Sequence, residues 1–412
     1  MNQQSDNSNL PRTAGFPDRS FGDDGAISIG GRGTANAIAS DKDGNLYVAY
    51  AIDKKMRLAR YLVDGARDES FQETTWQYDQ YDETRPTRLL LEEGSGKIIV
   101  IGESFKNNLT RPAVTRFNQN GSPDLVFGNR VMSIDAETDI NWVRVKLVDG
   151  CLQKDGKILI AANFQIISSS PLNRLYRLQN SGQPDETFGD GAGFIDINLQ
   201  GFPSNVCNVA TQADGKIVVA GHQHVNLLRR VARYHTTGTL DLTFGRGGYA
   251  DIELAEEPLP EKQEPNTFTV SLVSRIVIQN DDKILVAGVG RDANKRERGL
   301  LTRLEANGEA LDPAFNSGKP LLISRSEDRI SFNSIAVQPD QKIVTVGSSL
   351  LAHTWMVEYQ RFSENGVIEP FWSGYRVGDC IDVVIQPKGR VVVAGSSSDK
   401  FGSPRICGFL GS

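Results

Sequence analysis

DGKIVVAG, residues 214–221, is the stretch of this sequence that decides its fold. Asp-Gly between two apolar runs is a strong signal for a β-hairpin, because a type I′ turn requires positive φ at both of its central residues. The run after the turn is apolar on both faces, which is typical of a strand that is covered on both sides. Residues 214–221 therefore predict a hairpin turn followed by a strand that is buried between other sheets.

The same turn recurs along the 412 residues of the chain. Aligned on the residue after the turn, the repeats fall at Asn45, Lys97, Lys157, Lys216, Lys283, Lys342 and Arg390. This length alone suggests two or three domains, but regular self-similarity indicates one domain that is built by radial repetition. We expect residues 1–15 to form a flexible segment and residues 16–412 to form a single domain.

A second signature follows each turn and pairs an arginine with an acid about eight residues later. The arginines are Arg60, Arg116, Arg177, Arg233, Arg303 and Arg361, and the acids are Asp68, Asp124, Asp185, Asp241, Asp312 and Glu369. Because the pair occurs in nearly every unit, we interpret it as a structural arginine–carboxylate contact that braces each unit. Each unit then consists of four strands, named a, b, c and d in chain order.

The last unit ends after its strand c, and the missing strand lies at the start of the chain. Residues 16–22, FPDRSFG, match residues 183–189, QPDETFG, which open strand d of the third unit. The sequence therefore predicts an all-β, seven-bladed β-propeller of four-stranded blades, closed by an N-terminal strand that completes the last blade. Such closure removes an exposed sheet edge.

The combined pattern, DGKIVVAG followed by R[YFL]xxxGxxDxxFG, resembles the uncharacterised delta-60 repeat family, from about Phe16 to Ser412. Units one and six depart most from the pattern. The resemblance implies a β-propeller, often in bacterial surface or exported proteins. It implies no defined reaction.

Composition narrows the classes of function. The formal net charge of −6 argues against a nucleic-acid-binding protein. The sequence contains no stretch of 18 apolar residues, which a membrane-spanning helix would need. The polar start, MNQQSDNSNLPRT, predicts no cleavable signal peptide, so the protein is cytoplasmic or exported by another route. Catalytic, cofactor and metal motifs are absent, so we expect no cofactor and no metal.

Blade-specific chemistry is expected on one face of the disc. The a–b and c–d turns form a short, uniform turn face, whereas the b–c loops and d–a crossings form a long, irregular loop face. Variable loops on a rigid scaffold are common binding sites. Candidate ligand-binding residues on this face are Trp76, Tyr78, Tyr81, Trp142, His222, His224 and Trp355.

A ring of polar residues is predicted where the seven strands a line the central channel. Eight residues before the alignment position, and nearer the loop face, the sequence places Ala37, Leu89, Asp149, Asn208, Arg275, Ser334 and Asp382. The polar members are candidate ligand-binding residues at the channel mouth.

Two functions fit these features best, and a purely structural module of a larger assembly is a third possibility. The first is a non-enzymatic binding propeller that recognises a protein or a glycan through its loop face. The alternative is an enzyme with its active site at the polar mouth of the channel. No catalytic motif supports the second, but carboxylates and an arginine in one ring keep it open.

Overall fold

The computed structural model describes residues 14–78, 82–107, 109–132, 143–166, 171–201, 203–223, 227–254, 272–324, 329–351, 354–369, 378–397 and 402–411. Within these ranges the chain forms seven antiparallel sheets, of which six have four strands and one has three. The predicted seven-bladed β-propeller of four-stranded blades is confirmed. No helix in these ranges is long and apolar enough to span a membrane.

The strands follow the predicted a, b, c, d order from the inner to the outer edge of each blade. Blade one holds β2 (Gly33–Ser40), β3 (Leu46–Ile52), β4 (Lys55–Tyr61) and β5 (Thr74–Trp76). Blade two holds β6 (Glu83–Glu92), β7 (Lys97–Lys106), β8 (Leu109–Phe117) and β9 (Asn129–Val131). Blade three holds β10 (Val143–Leu152), β11 (Ile158–Ile166), β12 (Leu172–Leu178) and β13 (Phe194–Asp196).

The remaining blades repeat this plan. Blade four holds β14 (Ser204–Thr211), β15 (Ile217–Gln223), β16 (Arg229–Tyr234) and β17 (Tyr249–Ile252). Blade five holds β18 (Val273–Ile278), β19 (Ile284–Arg291), β20 (Glu297–Leu304) and β21 (Leu321–Ile323), with a short 3₁₀ helix at Asn316–Gly318. The described strands of blade six are β22 (Arg329–Val337), β23 (Ile343–Leu351) and β24 (Thr354–Phe362). Blade seven holds β25 (Gly378–Ile385), β26 (Val391–Ser397), β27 (Pro404–Phe409) and β1 (Ala26–Ser28).

The seven inner strands form a closed ring around the channel, since each contacts the inner strands of the two neighbouring blades. The hydrophobic core lies between the blades. A typical cluster joins Val218 and Phe244 of blade four to Ile276 and Val286 of blade five, all of them buried. This packing explains why the b strands are apolar on both faces: each lies between two sheets.

Closure of the ring follows the predicted permutation. In blade seven, β1 pairs antiparallel with β27, so that Ala26 lies opposite Cys407 and Ser28 opposite Arg405. Further backbone hydrogen bonds join Gly15 to Leu410 at 2.7 Å and Asp18 to Gly408 at 2.9 Å. The N-terminal strand therefore completes the last blade.

The repeated arginine makes the expected contact in the first six blades. Its Nε donates to the acid of the same unit at 2.6–2.9 Å, as in Arg177 to Asp185 and Arg233 to Asp241. In blades two to six, the lysine of the a–b turn also contacts this acid at 2.9–3.3 Å. Each brace therefore ties the a–b turn to the c–d hairpin.

Blade seven makes the same brace with different residues. Gly408 stands opposite Val392, where blade four has Arg233 opposite Val218. Arg390 of the a–b turn supplies the guanidinium instead and donates to Asp18 at 2.7 Å. Blade seven thus has the same arginine–carboxylate contact as the other blades, but its arginine lies in the a–b turn and not on strand c.

These buried carboxylates predict a loss of stability in acid. Burial raises the pKa of Asp185, but hydrogen bonds from Thr187 and Lys157 and the charge of Arg177 outweigh it and lower the pKa to about 2. An aspartate shifted from about 3.9 to about 2 stabilises the folded state above pH 4 by about 2–3 kcal/mol, and this contribution is lost as the pH falls through 2. We therefore expect the gap in unfolding free energy between the parent and Asp185→Asn to narrow from about pH 4 to pH 2. Urea denaturation across this range measures it, and a gap that stays constant would contradict the assignment.

Candidate functional site

The candidate site is a ring of residues at one height of the seven inner strands. Strand register identifies the ring, because each member lies opposite the equivalent residue of strand b, for example Asp149 opposite Ala161 and Asp382 opposite Ala394. The complete set is Ala37, Arg88, Asp149, Asn208, Arg275, Ser334 and Asp382. In β14 and β25 the ring residue is the fifth of eight, so the ring lies at mid-height and not at the channel mouth.

A β-bulge accompanies the ring in every inner strand. In six strands the bulge lies directly before the ring residue, and in β10 it lies between Val145 and Leu147. Bulges re-aim the side chains that follow them and occur often beside functional sites. Here they mark the height at which the polar residues meet.

Blade two contributes Arg88, whereas the sequence alignment places Leu89 in the ring. In blade two, Lys97 pairs with Glu92, which lies five residues earlier. In blade one, the equivalent Asn45 accepts a hydrogen bond from the amide of Asp41, which lies four residues earlier. The a–b turn of blade two is therefore one residue longer. A one-residue shift exchanges the two sides of a strand. Leu89 consequently packs in the core and Arg88 takes its place. The sequence signal for the shift is a second turn glycine, at residue 94 in addition to residue 96.

Three members of the ring form ion pairs across the channel. Arg275 of blade five donates through one terminal nitrogen to Asp149 Oδ1 of blade three at 3.0 Å. Its other terminal nitrogen lies 3.5 Å from Asp382 Oδ1 of blade seven. Each pair skips one blade, so the guanidinium bridges residues that are not on neighbouring strands. We name Arg88, Asp149, Arg275, Ser334 and Asp382 the axial cluster.

Both carboxylates of the axial cluster are also anchored to backbone. Asp149 Oδ2 accepts from the Val209 amide and Asp382 Oδ2 from the Ile38 amide, both at 3.2 Å and both in the next blade. The Ser334 hydroxyl donates to Asp382 Oδ1 at 2.9 Å. The two carboxylates are 7% and 2% exposed, so their positions are fixed by buried contacts on both oxygens.

Arg88 differs from the other charged members because it makes no hydrogen bond within the described part of the chain. Its Nε lies 3.7 Å from Asp149 Oδ1, which is an ion pair but too long for a hydrogen bond. Burial and the neighbouring charge of Arg275 lower the pKa of Arg88. Its Nε is buried, but the side chain as a whole is 28% exposed, so the terminal nitrogens are the donors that remain accessible from the channel.

A cavity of about 880 Å³ extends from this guanidinium to the turn face. Arg88 and Ser334 line its inner end, and residues of the a–b turns of blades one and two, among them Asp43 and Glu93, line its rim. Its volume lies within the range of small-molecule sites, which are about 300–1,000 Å³. The channel is therefore open to a ligand from the turn face, opposite to the loop face.

The aromatic candidates lie in other surroundings. Trp76 is half-buried at the end of β5 and packs edge-to-face on Phe117, with ring centroids 5.7 Å apart. Tyr78 is 1% exposed, and burial raises the pKa of its hydroxyl. The Trp76 ring packs against the core between blades one and two, and Tyr78 is buried two residues beyond the end of strand d. Tyr81 and Trp142 lie outside the described residues, as does the side chain of Trp355.

The remaining candidates lie apart from the axial cluster or outside the described residues. His222 is 2% exposed on β15, where its Nε2 lies 3.4 Å from Asn205 Nδ2. His224 is outside the described residues. Asn208 shares the height of the ring and donates to the Val273 carbonyl of the next blade at 3.5 Å.

Nucleophile and metal chemistry receive no support from the described residues. Cys151 follows Asp149 by two residues on β10, and burial and that carboxylate raise the pKa of its thiol to about 12. The thiol is therefore protonated at neutral pH and is a poor nucleophile. In the described ranges, no group of three or more His, Cys, Asp or Glu side chains is placed to hold a metal ion.

Comparison with known families agrees with the repeat. Residues 93–127, 153–188, 212–244 and 279–315 match a family model described as a domain of unknown function (DUF5122) beta-propeller. The matches support an uncharacterised β-propeller repeat family. Each runs from the a–b turn through strands b and c to the acid and phenylalanine of units two to five. No curated protein matches the chain.

Solved structures share the fold at low sequence identity. A polysaccharide lyase aligns with a TM-score of 0.52 at 11% identity, over 92% of this chain and 90% of that chain. An ulvan lyase aligns at 0.51 and 12% identity, over 93% and 95%. A catalytically inactive virginiamycin B lyase from Staphylococcus aureus aligns at 0.50 and 10% identity, over 93% and 98%. Identity this low shows a common fold alone.

Proposed function

We propose that this chain is a non-enzymatic binding propeller built from delta-60 repeats, and that its ligand enters the central channel from the turn face. The ligand is a protein segment or a glycan that carries a carboxylate. The observation that supports this assignment is Arg88, an accessible guanidinium without a hydrogen bond in the described chain, at the inner end of an 880 Å³ cavity.

The chemistry of the axial cluster favours an anionic group at Arg88. A guanidinium presents several N–H donors in one plane and binds a carboxylate through two parallel hydrogen bonds. Arg275 already uses its terminal nitrogens on Asp149 and Asp382, so Arg88 is the guanidinium of this cluster that a ligand can reach. The protein walls around the inner end of the cavity reduce the screening of this attraction by solvent.

Arg88 is also the residue whose removal should spare the fold. Asp149 retains Arg275 as its partner when Arg88 is replaced, since Arg275 contacts the same carboxylate oxygen at the shorter distance of 3.0 Å. We expect Arg88→Gln to keep the melting temperature of the parent. It should weaken ligand binding by at least about tenfold, because a hydrogen bond from a charged group is lost.

Arrays of free-carboxyl peptides and of uronate glycans, probed with labelled protein, test this expectation. Amidated peptides and neutral glycans serve as ligand controls. Lys55→Gln, which removes an exposed cation of the loop face, serves as the protein control and should bind like the parent. Equal binding by the parent and a folded Arg88→Gln, or no carboxylate ligand on either array, would refute the assignment.

A second candidate is an enzyme that acts at the same cluster. Two carboxylates and two guanidinium groups converge on the channel, and such charges can stabilise a developing charge in a transition state. Three proteins of this fold are lyases. Against this candidate, both described carboxylates are held in ion pairs and the nearby thiol of Cys151 is protonated. Cleavage of any array glycan by the parent but not by Asp149→Asn would favour the enzyme.

A further inference from the structure

The rim of the central cavity carries a charge opposite to that of its inner end. Four acids line the cavity on the a–b turns of blades one and two, Asp41, Asp43, Glu92 and Glu93, and one lysine, Lys42, lies among them. Arg88 is the cation at the other end. The cavity is therefore acidic where a ligand enters and cationic where it stops.

The four acids are not equally available. Asp41 accepts the Asp43 and Asn45 amides at 3.0 and 2.9 Å, and Glu92 accepts the Ser95 hydroxyl and the Asn180 side-chain amide. Asp43 and Glu93 are exposed and form no ion pair within the described ranges. These two carboxylates can meet a ligand cation without breaking an existing contact.

The wall between the two ends is aliphatic. Its half-buried residues come from the inner strands of blades two, six and seven, and they include Leu90, Leu91, Val337, Val384 and Ile385. Arg88 precedes Glu93 by five residues, which spans roughly 16 Å along a strand. An extended peptide of about five residues covers the same distance.

We infer that the cavity receives the carboxyl terminus of an extended peptide, with its terminal carboxylate at Arg88, aliphatic side chains along the wall and a lysine or arginine near Asp43 and Glu93. This inference rests on the proposed function and names its ligand class. An acidic glycan fits less well, because a uronate chain carries repeated negative charges past the acidic rim. A peptide needs only one anion, at its end.

The Arg88 guanidinium and the acidic rim make separate demands on the ligand. Arg88 requires the free carboxylate, so amidation of the peptide should weaken binding by at least about tenfold. The rim requires a cation about four residues before the end, and exposed charge pairs contribute less, so replacing that cation should weaken binding by about threefold to fivefold. The rim contribution should fall with added salt, since exposed pairs are screened.

An array of random peptides of about seven residues with free carboxyl termini tests the inference on the full chain. The parent should select Lys or Arg near the fourth or fifth position from the end, and aliphatic residues after it. Asp43→Asn with Glu93→Gln should lose the preference for a cation but keep the requirement for a free carboxylate. Glu186→Gln, an exposed acid of the turn face that does not line the cavity, should match the parent.

The outcomes separate this inference from the proposed function. Uronate glycans that bind through Arg88, with no peptide bound, would overturn the peptide assignment and leave the channel site intact. Peptides that bind equally to the parent and to the double rim variant would overturn the role of the rim. No carboxylate ligand that depends on Arg88 would overturn both.

Discussion

A variant that lacks residues 1–30 is expected to lose at least about 3–5 kcal/mol of unfolding free energy and to aggregate. The deletion removes β1 and with it the outer strand of blade seven. It also removes Phe21, which is fully buried, and burial of one phenylalanine is worth about this much. The edge of β27 is then exposed, and unpaired strand edges promote association.

Guanidinium denaturation and light scattering measure the two effects. Deletion of residues 1–12 is the matched control, because it keeps β1 and the backbone bonds that close the ring, including the bond from Gly15 to Leu410. That control should unfold at the same midpoint as the parent. A 1–30 deletion that also unfolds at the parent midpoint and stays monodisperse would contradict closure by the N-terminal strand.

The second large effect is expected for Asp241→Ala, which should destabilise the fold by about 3–5 kcal/mol. Asp241 is 0% exposed and accepts from Arg233 Nε at 2.8 Å and from the Thr243 hydroxyl at 2.6 Å. Its removal leaves the buried guanidinium of Arg233 without its carboxylate partner, and breaking a buried pair costs about this much.

Asp251→Ala provides a matched control within the same blade. Asp251 accepts from Arg230 through both carboxylate oxygens, but its side chain is 35% exposed. Arg230 is only 7% exposed, so this pair is solvated on its carboxylate side alone, and its loss should cost less than the loss of the fully buried Asp241. Urea denaturation should therefore give Asp241→Ala a clearly lower unfolding free energy than Asp251→Ala. Equal losses of unfolding free energy would show that burial of the aspartate does not determine how much the repeated arginine–aspartate contact stabilises the fold.

The sequence was sufficient to predict the blades, their order and the closure, because turn glycines and strand hydrophobicity are local features. Arg177 with Asp185 shows why the repeated brace was also predictable: both residues recur at one spacing in each unit. In blade seven the same reasoning could not find Arg390 with Asp18, because that pair joins two ends of the chain and replaces a side chain on another strand.

The candidate site was predictable as a ring at one level, but neither its position along the channel nor its contacts were predictable. The repeat places Asp149, Arg275 and Asp382 at one level, yet only the three-dimensional ring shows that Arg275 reaches past its neighbours to both carboxylates. Arg88 was missed because one added turn residue exchanges it with Leu89. The burial of Tyr78 likewise depends on how strand d packs on the next blade, which no local pattern encodes.

The position of the bound ligand tests the central claim most directly. Crystals of the parent grown with the strongest free-carboxyl peptide from the array would give that position. The account predicts a carboxylate about 2.7–2.9 Å from Arg88 nitrogens, with the chain leading along the cavity to the turn face. A ligand seated on the loop face, or in the channel with its carboxylate away from Arg88, would contradict it.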